Sequence, residues 1–405
     1  MPYSFRLIDM SDSAPEIDES IIDAWNEEQE QAPQASGGIE DPGSKYAQSQ
    51  LRVVRETRDY QLDYIQHALQ PGRELINIAP SYQRRLRWDD RKRSLLIESF
   101  LLNIPVPPIF LYEEDYNLFE VIDGRQRLDS IRSFLANDFA LRGLEYWPEL
   151  DGLRFNELPR VLRSGLMRRG LQAVVLLAET RDSTEDGIDV RRALFDRLNT
   201  GGEKLNPQEL RNALYPGRLN QLLIELARED SFTEVWGIPP RVESELEEPS
   251  AELVKNPLYS KLADAELVLR VFALKDAIDN DRKGSLRTIL DRYMAENADI
   301  DGAKSAEMRA NFLNSLDWIR AAFGELAFRL PTGRISRPLY DALMIARMQM
   351  AEIDIPLSGR ETAQQRLAAA LEDDEQYDLL VGRGNTIGSV KERVGLARAV
   401  LTEEG

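Results

Sequence analysis

The sequence predicts an α+β architecture: a small mixed α/β domain followed by an all-α helical bundle. Between residues 75 and 215, apolar runs of strand length alternate with segments whose apolar residues recur every three or four positions. Beyond Leu258 the helical spacing is almost unbroken. Pro239-Pro240 and five carboxylates between Glu243 and Glu252 mark the join as an acidic linker or loop. The 405 residues divide on this reading into an acidic tail (1–45), an α/β domain (46–235), the linker (236–258) and a helical domain (259–405).

Through residue 44 the tail holds eleven acidic residues and one basic, Arg6, interspersed with Pro15, Pro33, Gly37, Gly38, Pro42 and Gly43. That composition predicts disorder. Within it, Ile17, Ile21, Ile22 and Trp25 share one helical face amid carboxylates. Such a short amphipathic helix either docks on a partner or folds back on this chain. A helix is expected over 56–70 and a strand over Leu75–Ile78. Asp89 or Asp90 caps a helix running to about Leu102. The extended link Asn103 to Pro108 then enters a strand from Ile109 to Tyr112.

Further strands are expected before Asp123, at Phe139–Leu141 and from Leu171 to Ala178. A basic helical stretch with Arg160, Arg163, Arg168 and Arg169 precedes the last of them. Residues 194–217 read as helix, Gly201-Gly202 turn and helix. In the helical half, Met308, Phe312, Leu316, Ile319 and Phe323 keep one helix face apolar. Pro338 after Ser336 marks a helix start. Gly382 to Thr386 reads as a turn with a Thr386 cap rather than a phosphate loop.

The α/β region is organised around Val121-Ile122-Asp123-Gly124-Arg125-Gln126-Arg127-Leu128. A strand hands over to a helix there, so backbone N–H groups without helical partners face outward at the positive end of the helix dipole. Gly124 permits a tight turn or the close approach of a ligand. Arg125 and Arg127 place two guanidinium forks at the same spot, a geometry suited to phosphate oxygens. Asp123 has three options: capping the helix, orienting an arginine, or holding a divalent cation.

Val121–Leu128 resembles the Asp-Gly-Gln-Gln-Arg signature of the N-terminal domain of GmrSD-type restriction endonucleases. Two flanking blocks match in the same order. Ser81–Glu114 resembles the family's Tyr-Gln-Arg segment, helix and Pro-rich strand entry. Leu194–Gly217 resembles its Arg-Leu-Asn, Gly-Gly and Glu-Leu-Arg-Asn block. Arg125 departs from the pattern, standing where the family usually carries Gln. The resemblance implies a ParB/sulfiredoxin-like fold and a prokaryotic restriction or anti-phage role. It also implies nucleoside triphosphate hydrolysis that licenses cleavage of foreign, often modified, DNA.

By the same resemblance the three blocks line one site. Gln83, Arg84, Gly124, Arg125, Arg197, Asn199, Glu209, Arg211 and Asn212 would bind the nucleotide. Asp123, Gln126 and Arg127 would act on it, with Mg²⁺ at Asp123. The bland alternative for Arg197, Glu209 and Arg211 is an ion-pair network on a helix surface. A non-hydrolysing, nucleotide-gated DNA switch of ParB type is the alternative function. No Walker-type Gly-Lys-Ser/Thr sequence is present, so P-loop chemistry is excluded.

The net charge of −19 opposes nucleic-acid binding globally, but charge is unevenly placed. Tyr82–Arg93 carries six basic residues against two acidic. Arg85, Arg87, Arg91, Lys92, Arg93, Arg168 and Arg169 are therefore the expected DNA contacts. Absence of cysteine excludes disulfides and thiolate zinc sites. No run reaches membrane-spanning length and no secretory signal is apparent, so a soluble cytoplasmic chain is expected. The single histidine, His67, cannot build a His-Asn-His nuclease within these residues. A separately encoded nuclease or defence subunit is the expected partner beside DNA, and a homo-oligomer is left open.

Overall fold

The computed structural model describes residues 17, 19–30, 55–70, 72–73, 75–78, 88–177, 206–242, 245, 249–350, 359–382 and 386–402. The chain forms two compact units. Ser36–Leu205 is one; Asn206–Gly405, together with Met1–Ala35, is the other. Helix α1 (Glu19–Glu30) belongs to the second unit. The disorder expected for the rest of the tail lies outside the described residues.

The first unit is a mixed α/β structure on a five-stranded sheet of order β1-β5-β3-β4-β2. The strands are β1 (Arg55–Gln61), β2 (Ile76–Asn77), β3 (Ile109–Asp115), β4 (Leu118–Asp123) and β5 (Gly170–Leu176). Helices α2 (Leu62–Ala68), α3 (Asp90–Leu102), α4 (Arg125–Leu135) and α5 (Arg160–Met167) complete it. β3 and β4 form an antiparallel hairpin, and β3 also runs parallel to β5. Ile109, Leu111, Val121, Ala173 and Val175 from the sheet meet Leu128, Ile131 and Phe134 of α4 in one core.

Two expectations fail here. Residues 55–61 are a strand, not the start of a helix, because their side chains alternate between exposed and half-buried along an antiparallel pairing with β5. Phe139–Leu141 is no strand. Phe139 and Leu141 are buried, but the segment bonds to a loop, Leu141 N–H donating to Leu153 C=O at 3.0 Å. Apolar content alone cannot separate a buried loop from a strand.

The second unit is helical. Its helices are α6 (Pro207–Leu214), α7 (Arg218–Leu226), α8 (Asp230–Trp236), α9 (Ala251–Lys255), α10 (Pro257–Ser260), α11 (Ala263–Asp279), α12 (Leu286–Asn297), α13 (Gly302–Phe323), α14 (Arg337–Gln349), α15 (Gly359–Glu372), α16 (Asp374–Val381) and α17 (Ile387–Leu401). α11 is buried on every face from Ala263 to Leu274, so it is the hub. It is tied to α14 by a buried Arg270–Asp341 pair, with Nε to Oδ2 at 3.0 Å. The expected apolar face of α13 (Met308, Phe312, Leu316, Ile319, Phe323) is buried in the same core. Ser336 caps α14, and Thr386 caps α17 by accepting from Ser389 N at 3.1 Å.

The unit begins about thirty residues before the expected boundary. Leu219, Leu222, Leu223, Leu226, Phe232 and Trp236 of α7 and α8 all enter the helical core. The expected linker is part of this unit as well. Arg228 donates to Glu245 from Nη2 at 2.7 Å with both side chains buried, and Leu253 and Leu258 are buried beyond it. Acidic composition signalled solvent, but one of those carboxylates has an internal cation. The amphipathic helix packs on its own unit: Ile22 is buried, Trp25 meets Trp236 edge-on at 6.4 Å, and Arg337 lies over the Trp25 ring at 4.7 Å.

Candidate functional site

β4 ends at Asp123 and α4 starts at Arg125, with Gly124 as the N-cap at φ +98°. No side chain caps this helix start, so the N–H groups of its first turn stay at the junction. A Cβ at Gly124 would overlap Ile109 and press on the Arg127 guanidinium. Glycine is therefore required twice, for its backbone angle and for its missing side chain. Gly124→Ala is expected to destabilise the α/β unit by about 1–3 kcal/mol from backbone strain alone. An unchanged midpoint in denaturant unfolding would contradict this packing.

Of the three options for Asp123, the structure takes the arginine. Asp123 Oδ2 accepts from Arg127 Nη2 at 2.8 Å, one helical turn on, and the same Nη2 reaches the Pro108 carbonyl at 3.1 Å. Arg127 is thus fixed across the β3 entry and the helix start, with only 14% of its side chain exposed. Its Nε is buried without a partner among the described residues. Asp123 is more open, at 30%.

Gln126 accepts from Trp88 N–H at 3.1 Å, which ties the residue before the α3 cap to the junction. Arg125 is half-buried; burial pulls its guanidinium below the ordinary arginine range, opposed by Glu120 and Asp129. Among the described residues no group of three or more His, Asp or Glu side chains gathers to hold a metal. A single carboxylate such as Asp123 holds Mg²⁺ only with further oxygen ligands beside it.

Gln83, Arg84, Arg197 and Asn199 lie outside the described residues, as do Arg85 and Arg87. Glu209, Arg211 and Asn212 are all buried on α6, in the helical unit. Glu209 closes a capping box by accepting from Asn206 N at 2.7 Å. Arg211 donates to Asp291 from Nε at 2.8 Å and to Glu266 from Nη1 at 3.1 Å. Asn212 accepts from Asn220 at 2.7 Å. An ion-pair network is present, as the bland reading held, but it is interior rather than on a surface. These three residues meet one another's neighbours in the helical core.

The expected DNA contacts also divide. Arg91, Lys92 and Arg168 are exposed. Arg93 is mostly buried; its guanidinium stacks over Phe139 at 4.1 Å and pairs with Asp90 at 3.6 Å. Arg169 donates to the Asn103 side chain at 2.8 Å and to the Leu101 carbonyl at 3.3 Å, holding the end of α3. Both therefore act as internal supports. Arg142 is the basic residue the sequence hid: 72% exposed, it sits on a loop held against α3. Buried Glu98 fixes that loop by accepting from the N–H groups of Glu145, Tyr146 and Trp147 at 3.1, 2.8 and 2.9 Å. Glu98 inside an apolar helix was the readable signal for such a loop anchor.

The fold and this junction define a class: a mixed α/β domain whose Asp-Gly-Arg-Gln-Arg turn sits between a strand and a helix, followed in the chain by a helical unit. Residues 65–216 match the family model of the GmrSD restriction endonuclease, N-terminal domain. That segment runs from α2 through the whole of α6, so the part of the family's last block from Asn206 onward lies inside the helical unit. No curated protein and no solved structure matches the chain. Among the described residues no helix is long and apolar enough to cross a membrane.

Proposed function

We propose that this protein is a nucleoside triphosphate-binding and hydrolysing, DNA-targeting component of a prokaryotic restriction or anti-phage system, with its α/β unit of ParB/sulfiredoxin type. One observation carries the reading: Arg127, mostly buried and braced by Asp123 and Pro108, stands at an uncapped helix start in a segment that matches the GmrSD N-terminal family. Helix-start amides and a braced guanidinium complement phosphate oxygens. Mg²⁺ held at Asp123 Oδ1 would neutralise phosphate charge. Arg127 would stabilise charge on the transferred phosphoryl group, and Gln126 would orient water. DNA meets the exposed face bearing Arg91, Lys92, Arg142, Arg160 and Arg168, where α3 and α5 pack together. Cleavage is left to a separately encoded nuclease.

The direct test is phosphate release from each of the four NTPs, with and without DNA. Turnover of at least one of them, with plasmid left uncut, is expected. A second reading has its own support, since Asp123 is already engaged by Arg127 and so is not a free base. On that reading nucleotide gates DNA binding without turnover; NTP-dependent DNA affinity with no phosphate release would select it.

The carboxylates of the acidic tail are expected to compete with DNA for basic side chains. Because Ile22 and Trp25 are packed in the helical unit, deleting the tail would damage that unit as well as remove charge. Neutralising Asp9, Asp12, Glu40 and Asp41 is the cleaner change. Nonspecific DNA affinity is expected to rise, and its salt dependence to steepen. Superimposable salt titrations of the two proteins would remove the tail from DNA binding.

A further inference from the structure

The helical unit contains a cavity of about 620 Å³ that the reading of the α/β unit leaves unused. α1 forms one wall through Trp25, the end of α8 forms another through Trp236, and the loop entering α14 forms a third. Its volume lies within the range of small-molecule sites. Four cations line it, Lys255, Arg329, Arg334 and Arg337, against two carboxylates. One of those carboxylates, Glu234, is already paired with Arg320. Arg337 is almost wholly buried and stacks on Trp25. Trp236 is buried too, and its indole Nε1 has no hydrogen-bond partner among the described residues.

We propose that this cavity binds a nucleoside phosphate. The arginines supply charge for the phosphate, as planar forks suited to its oxygens. The indoles and the flanking prolines 239, 257 and 338 supply flat apolar walls for a base. α1 is then a wall of the site, so ligand and α1 docking reinforce each other. This site is separate from the Asp123 junction and stands or falls without it.

Titrating the full chain with AMP, GMP, CMP and dTMP, with inorganic phosphate alongside, tests the assignment through tryptophan fluorescence. At least one monophosphate is expected to give a saturable change that Trp25→Phe diminishes. The exposed pair Lys255→Ala/Arg334→Ala should weaken that binding by about tenfold or more. Arg127→Ala should leave it intact. No saturable change would overturn the proposal. So would equal affinity for inorganic phosphate, or binding lost in Arg127→Ala and kept in Lys255→Ala/Arg334→Ala; the last result would place the only nucleotide at the α/β junction.

Discussion

Asp123→Asn is expected to lower nucleoside triphosphate turnover by about two to three orders of magnitude while the fold is retained. The substitution keeps the size of the side chain and the acceptor for Arg127, and removes the charge. Arg127→Ala is expected to act first on affinity, weakening NTP binding by about tenfold or more, because a braced guanidinium and its charge-assisted bonds are lost together. Turnover should fall with it. Calorimetric Kd values and phosphate release on the two purified variants separate these roles. Wild-type turnover and affinity in both would take the nucleotide away from this junction.

The second large effect is on stability. Arg211 is 1% exposed and answers two carboxylates, Asp291 and Glu266, that are themselves nearly buried. Arg211→Met removes this cation from both and is expected to cost about 3–5 kcal/mol. Unfolding of the helical unit should therefore begin at distinctly lower denaturant. A protein of wild-type stability that binds nucleotide poorly would instead return Arg211 to the nucleotide site, where the family resemblance alone had put it.

The contrast between Asp123 and Arg211 shows what the sequence disclosed. The strand-to-helix junction was legible because its signals are local: an apolar run, a glycine, then helical spacing, all within about fifteen residues. The Asp123–Arg127 bond is itself a one-turn contact. Arg211 was not legible, because its partners lie 55 and 80 residues further along the chain. An arginine in a helix gives no sign of whether it faces solvent or two buried acids. The domain boundary failed for the same reason, since α7 and α8 carry ordinary amphipathic spacing whose partners, α11 and α13, lie far along the chain. Arg93 and Arg169 looked like DNA contacts because charge was read without its neighbours. The amphipathic helix around Ile22 and Trp25 was legible as an element, while its docking place was not.

Mapping a photo-crosslink from an 8-azido nucleoside triphosphate tests the central claim most directly. Labelling that unlabelled NTP competes away, recovered in a peptide spanning residues 109–135 and lost in Arg127→Ala, is the expected result. A saturated protein whose 109–135 peptide stays unlabelled would contradict the placement of the triphosphate at the Asp123–Arg127 junction.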